Sequence, residues 1–117
     1  VKIAFKDSVG GEIYVKKAPS IKIKDIIKAI DPKAKILNIG VRPGEKLHEK
    51  LIGEYEGKFT HEYKGHFKII SAIYSNNNLN RLKNLKKVEK NFAYTSDNNK
   101  EWMSINTLKN WIKKNLK

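Results

Sequence analysis

Gly40-Val41-Arg42-Pro43-Gly44-Glu45-Lys46-Leu47-His48-Glu49-Lys50 follows a short apolar run, Ile36-Leu37-Asn38-Ile39, and reads as the end of a buried strand turning into a helix. Pro43 fits the first helical position, where a missing N–H costs nothing. Glu45 then falls in the first turn, where a carboxylate suits the positive end of the helix dipole. Arg42 stands at the helix mouth, so its planar guanidinium and several free backbone N–H groups point the same way. That is the geometry for gripping an anion such as a phosphate. A carboxylate three residues on accepts bonds from two neighbouring hydroxyls, as on a ribose. Arg42 with Glu45 thus reads as one arm of a nucleotide grip. The competing reading is a capped helix start with a surface ion pair.

Working back from that stretch, Ile23, Ile26, Ile27 and Ile30 recur with helical spacing and predict a helix stopped by Asp31-Pro32. Ile21-Lys22-Ile23 reads as a brief extended piece before it, and Pro19 breaks the loop at residues 16–20. Glu12-Ile13-Tyr14-Val15 is β-rich and predicts a strand. Val1-Lys2-Ile3-Ala4-Phe5-Lys6 reads as the last turns of a helix, ended by Gly10-Gly11. Residues 35–39 are the expected strand leading into Arg42.

Working forward, a helix is expected from Pro43 to about Ile52, with Leu47, Leu51 and Ile52 toward the core and Gly53 as its stop. Residues 54–58 read as a turn. Two strands, residues 59–62 and 67–73, are joined by Lys64-Gly65-His66, a hairpin signal. Asn76-Asn77-Asn78 is turn chemistry. Leu79, Leu82, Leu85 and Val88 recur every third residue and predict a short helix. Residues 91–99 form a polar loop. The clearest helix comes last: Ser104 is a good N-cap, Met103 and Leu108 have the spacing of a hydrophobic staple, and Ile105, Leu108, Trp111 and Ile112 make its apolar stripe.

The chain has 117 residues, no cysteine and a net charge of +13. That is room for one small domain with a modest core. The missing cysteines exclude disulfides, thiolate metal sites and a Cys nucleophile within it. The basic excess would suit an anionic partner. Only Arg42 and Arg81 are arginines, however, and the lysines are dispersed, so solvated lysine faces explain the charge better than a nucleic-acid stripe. No apolar run is long enough to span a bilayer. Alternating strands and helices predict an α/β or α+β piece with two or three strands per sheet, one domain over residues 1–117. So thin a sheet suits a cap on a larger partner domain, and a chain opening on a helix end suggests a fragment of a longer protein.

Chemistry for catalysis is missing from these residues. No G-x-G-x-x-G fingerprint and no Tyr-x-x-x-Lys pair is present. His48, His61 and His66 do not make a metal site in register. No Ser-His-Asp or Cys-His set is available. No catalytic or cofactor-binding residue is assigned.

Taken together, Gly10-Gly11-Glu12-Ile13-Tyr14-Val15, then Pro19-Ser20-Ile21-Lys22-Ile23, then Ile39-Gly40-Val41-Arg42-Pro43-Gly44-Glu45-Lys46-Leu47-His48-Glu49, and finally Tyr94-Thr95-Ser96-Asp97-Asn98-Asn99 before a Trp and a last helix form an ordered pattern. It resembles the C-terminal part of inverting UDP-N-acetylglucosamine 4,6-dehydratases, extended short-chain dehydrogenase/reductase enzymes of surface-sugar synthesis. Capsular-polysaccharide epimerases share much of it. The resemblance covers most of the chain and is weakest over residues 75–90. It implies a small α+β-like, substrate-binding C-terminal subdomain of an extended Rossmann-type enzyme, a cytoplasmic lyase. It further implies NADP and the catalytic residues in an N-terminal Rossmann domain outside this sequence. Arg42 would grip the pyrophosphate and Glu45 the uridine ribose. The implied reaction is transient oxidation at C4, loss of water across C5 and C6, and return of hydride at C6.

The expected partners are a UDP-sugar, the chain's own Rossmann domain and further copies in a homo-oligomer, with no nucleic acid, membrane or metal. A UDP-sugar 4-epimerase is the alternative within the fold. A small basic nucleic-acid-binding module is the alternative from another class, and a non-catalytic oligomerisation cap is a third.

Overall fold

A computed structural model describes residues 2–8, 10–70 and 86–115. Helices and strands alternate through α3 and a run of strands follows before the last helix: α1 (Lys2–Asp7), β1 (Glu12–Lys16), α2 (Ile23–Ile30), β2 (Lys50–Ile52), α3 (Glu54–Gly57), β3 (Thr60–Tyr63), β4 (His66–Ile70), β5 (Lys86–Lys87), β6 (Tyr94–Thr95) and α4 (Ile105–Asn115). The mixed helix-and-strand class matches the expectation. Four strands form one sheet in the order β1-β4-β3-β5, and β2 pairs with β6 in a second. The residues fall into two compact units, each built from two separate stretches of chain: Val1–Lys17 with Lys50–Tyr94, and Ala18–Glu49 with Thr95–Lys117.

The first unit is organised on β4, which pairs antiparallel with β1 (Val15 opposite Phe67) and with β3 (Thr60 opposite Ile69). Side chains alternate across the pleat. One face carries Phe67 and Ile69 into a buried cluster with Ile52 and Tyr94, against which Val15, Phe59, Val88 and Phe92 pack. The Phe67 ring lies 5.1 Å from both the Phe92 and Tyr94 rings. The other face is polar and aromatic. His66 stacks between Tyr63 (4.7 Å) and Tyr14 (5.9 Å). Next to it Lys68, itself buried, bonds Asp7 at the end of α1. The predicted hairpin is present, with Lys64 and Gly65 as its two-residue turn. Gly65 takes a φ of 97°, which costs a side-chain-bearing residue far more.

The second unit packs α2 against α4. Ser20 is its fastener: its N–H donates to the Glu101 carbonyl (2.8 Å) and its carbonyl accepts from Met103 N–H (2.8 Å). This extended pairing falls at Ser20 opposite Trp102, not at residues 21–23 as expected. The predicted α2 forms over Ile23–Ile30 and ends where Asp31, extended at φ −133°, precedes Pro32. Ser104 caps α4 as predicted: its Oγ accepts from Thr107 N–H at 3.2 Å. Leu108 is the buried residue of that helix, and Trp111, expected in the core, is 51% exposed.

Four other expectations are corrected. No strand forms over residues 35–39, which have no ladder partner among the described residues. No helix follows Pro43. Of its three expected core residues only Ile52 is buried; Leu47 and Leu51 are exposed, and residues 50–52 are a strand. Gly53 starts a helix rather than stopping one: α3 occupies residues 54–57, with Glu56 reaching back to the Gly53 N–H at 2.8 Å. The expected helix through Leu79 and Leu85, the Asn76-Asn77-Asn78 turn and the end of the strand at 71–73 lie outside the described residues, whereas Lys86 and Lys87 form β5.

Candidate functional site

Arg42 and Glu45 sit three residues apart, at the two ends of a reverse turn and not on a helix. Pro43 and Gly44 fill its two corners, and Glu45 N–H donates to the Arg42 carbonyl at 3.0 Å. Gly44 has a φ of 85°. Proline first and a left-handed glycine second define a type II turn. That backbone excludes the helix, because a helical Gly44 needs negative φ. The Pro43-Gly44 dipeptide carried this signal in the sequence. With the helix gone, the dipole contribution to anion binding at Arg42 goes too.

What replaces it is a small scaffold that separates the two charges by role. Glu45 Oε2 accepts from the Arg42 backbone N–H at 2.9 Å, so the carboxylate is fixed over the turn. The Arg42–Glu45 surface ion pair does not form: the contact is to backbone, and the guanidinium is left exposed to solvent. Upstream, Asn38 Oδ1 accepts from Gly40 N–H at 3.0 Å, and Gly40 takes a φ of 81°. Two local side-chain-to-backbone turns therefore hold residues 38–45.

The downstream end of this arm meets the 94–99 motif. Ser96 N–H donates to the Glu49 carbonyl (2.8 Å), and Glu49 N–H donates to Ser96 Oγ (3.0 Å). The Ser96 turn is itself stitched. Thr95 N–H donates to Asn98 Oδ1 (3.0 Å), and Thr95 Oγ1 donates to Asp97 (2.5 Å). That hydroxyl bond, helped by backbone N–H groups and by His48, holds the Asp97 carboxyl below the usual carboxylate range. Asn99 then bonds the Ala18 carbonyl (2.7 Å) and Ser20 Oγ (3.1 Å). Reading the sequence as a polar loop missed these roles; Thr, Ser, Asp and Asn in succession were the available signal.

Several lysines have structural partners. Lys17 bonds Glu62 at 2.7 Å and lies 4.8 Å over the Phe67 ring. No cluster of metal-ligating side chains occurs among the described residues, nor any helix long and apolar enough to cross a membrane.

The family model described as "Polysaccharide biosynthesis protein" matches residues 1–71, a span that includes the whole Arg42–Glu45 turn. The chain belongs to this polysaccharide biosynthesis protein family. Two Campylobacter jejuni proteins, from strains 81-176 and NCTC 11168, are each 37% identical over 106 residues. Both are named UDP-N-acetylglucosamine 4,6-dehydratase (inverting), the family that the sequence resembles. The match takes in 86% of this chain, and the chain spans 32% of the length of those relatives. Among solved structures, Pen from Bacillus thuringiensis superposes with a TM-score of 0.70 at 28% identity, covering 95% of this chain and 32% of that one.

Proposed function

We infer that this chain is the sugar-nucleotide-binding portion of an NADP-dependent UDP-N-acetylglucosamine 4,6-dehydratase of the inverting kind. The observation that carries the reading is the Arg42–Glu45 turn inside the stretch that resembles that family. A guanidinium with no carboxylate partner among the described residues is presented beside a carboxylate already fixed in place. Arg42 takes the pyrophosphate, because a planar fork matches two phosphate oxygens at once. Glu45 keeps Oε2 on the turn and offers Oε1 to the ribose hydroxyls. Freezing the carboxylate before the ligand arrives lowers the ordering cost of binding.

Nothing in these residues makes a dinucleotide cradle, so NADP and the redox step belong to a Rossmann domain outside them. The share of this chain is to bind and orient the substrate. The names of the relatives, and a family match whose span includes the turn, support this reading over a basic nucleic-acid module.

The test is the whole enzyme with UDP-N-acetylglucosamine. Arg42→Ala raises KM about tenfold or more, the scale of a charge-assisted contact, and leaves the melting temperature unchanged. The product is a 4-keto-6-deoxy sugar. A product inverted only at C4 assigns an epimerase instead. An unchanged KM in Arg42→Ala removes the site.

A further inference from the structure

We propose that Ser96 is a positioning residue for the nucleotide grip, acting through Glu49 on the Arg42–Glu45 turn; this rests on the reading of that turn given above. Residues 38–49 form an exposed arm with no helix or strand in it. Its internal bonds, Asn38 to Gly40 and Arg42 to Glu45, are local and fix shape but not place. Among the described residues, the hydrogen bonds that tie this arm to a distant segment are the reciprocal pair with Ser96, 47 residues on. Glu49 is four positions after Glu45, so the tie sits one short span from the group it must place.

The anchor is firm on its own side. Thr95 is bonded to Asn98 and Asp97, and Asn99 is bonded to Ala18 and Ser20. A site residue misplaced by about 1 Å loses much of its effect, and supporting hydrogen bonds prevent that. The 94–99 motif thus belongs to the grip without touching the ligand.

The experiment compares three variants of the whole enzyme by steady-state kinetics with the UDP-sugar, and by the affinity for UDP alone. Ser96→Ala is expected to raise KM and the UDP dissociation constant about three- to tenfold, the scale of one exposed hydrogen bond. It leaves kcat within about twofold, since uniform binding is what is lost. Ser96→Thr keeps the hydroxyl and restores both values. Arg42→Ala is the reference. If Arg42→Ala weakens UDP and Ser96→Ala does not, the positioning role is overturned and the grip stands. If neither weakens UDP, the grip itself is wrong and the positioning role falls with it. Equal loss in Ser96→Ala and Ser96→Thr, or a drop in kcat and melting temperature together, makes Ser96 merely structural and also overturns the inference.

Discussion

Lys68 Nζ lies 3.0 Å from Asp7 Oδ2, a contact between the middle of β4 and the end of α1 across 61 residues of sequence. The lysine side chain is 8% exposed and the aspartate 52%. Glu12, also 8% exposed, stands 3.6 Å from the same ammonium, and the Tyr14 ring lies 5.2 Å away. Burial alone would lower the Lys68 pKa, but the bonds to Asp7 and Tyr14 outweigh it and raise it. The two ends of this pair should therefore respond unequally. Lys68→Ala removes the buried ammonium that serves Asp7 and Glu12 together, leaving Glu12 its bonds from Ser8 and Gly10, and should cost about 2–3 kcal/mol. Asp7→Ala removes a half-exposed partner and should cost about 1 kcal/mol. Urea unfolding of both variants checks the order.

Gly57 is the tightest backbone approach among the described glycines. A Cβ there would stand 2.1 Å from the Phe92 carbonyl oxygen, so the chain has to move. Gly57→Ala should cost about 1–3 kcal/mol, as overpacking does. Gly53→Ala is the control: its nearest neighbour is the Glu56 carboxylate at 3.5 Å, an ordinary contact. It should cost under about 1 kcal/mol, the difference between glycine and alanine at an N-cap.

The core predicts a second contrast. Ile52→Ala should cost about 2–5 kcal/mol, because Ile52 is fully buried. Leu47→Ala, at 76% exposure, should stay within about 0.5 kcal/mol. A helix over residues 43–52 would have made the two comparable. Thermal melts of the pair distinguish strand from helix there.

That contrast shows where the sequence was legible. Period-3.6 isoleucines and a Ser104 cap located α2 and α4 because both are settled within one turn of chain. The hairpin at Gly65 and the β1 strand were equally local. The Arg42 arm was not. Its apolar run at residues 36–39 looks like a strand, but a strand exists only with a partner, and pairing is non-local. Pro43 suits a helix start and a type II turn alike, and Gly44 decided between them. The residue types of the candidate site, Arg42 and Glu45, were readable; the backbone that aims them was not. The run Thr95-Ser96-Asp97-Asn98 signalled a side-chain-bonded turn, but that Ser96 reaches Glu49 is a non-local pairing the sequence does not show.

Acid should weaken the β3–β5 edge. His61 stands opposite Lys68 on β4 and Lys87 on β5, and its Nδ1 is buried with no hydrogen-bond partner among the described residues. Burial first, then the charge on Lys87, hold its pKa below the ordinary imidazole value. The folded state thus binds this proton less readily than the unfolded chain. Its contribution is complete above the unfolded value of about 6.5 and is lost as pH falls through the lower folded value. Melting temperature should drop as pH falls below about 6.5, and His61→Gln should flatten that drop. Asp7, held low first by its bond to Lys68, acts in a separate window, its contribution being lost as pH falls below about 4.

Because each unit is stitched from two stretches, the order of synthesis matters. The Arg42 turn leaves the ribosome complete in itself, since its bonds span three residues. Its fastening to Ser96 waits until 47 more residues have emerged. A stalled or truncated chain would carry a well-formed turn on an untethered strap. The grip is therefore among the last features a growing chain can set, after the β3–β4 hairpin that precedes Ser96 in the sequence.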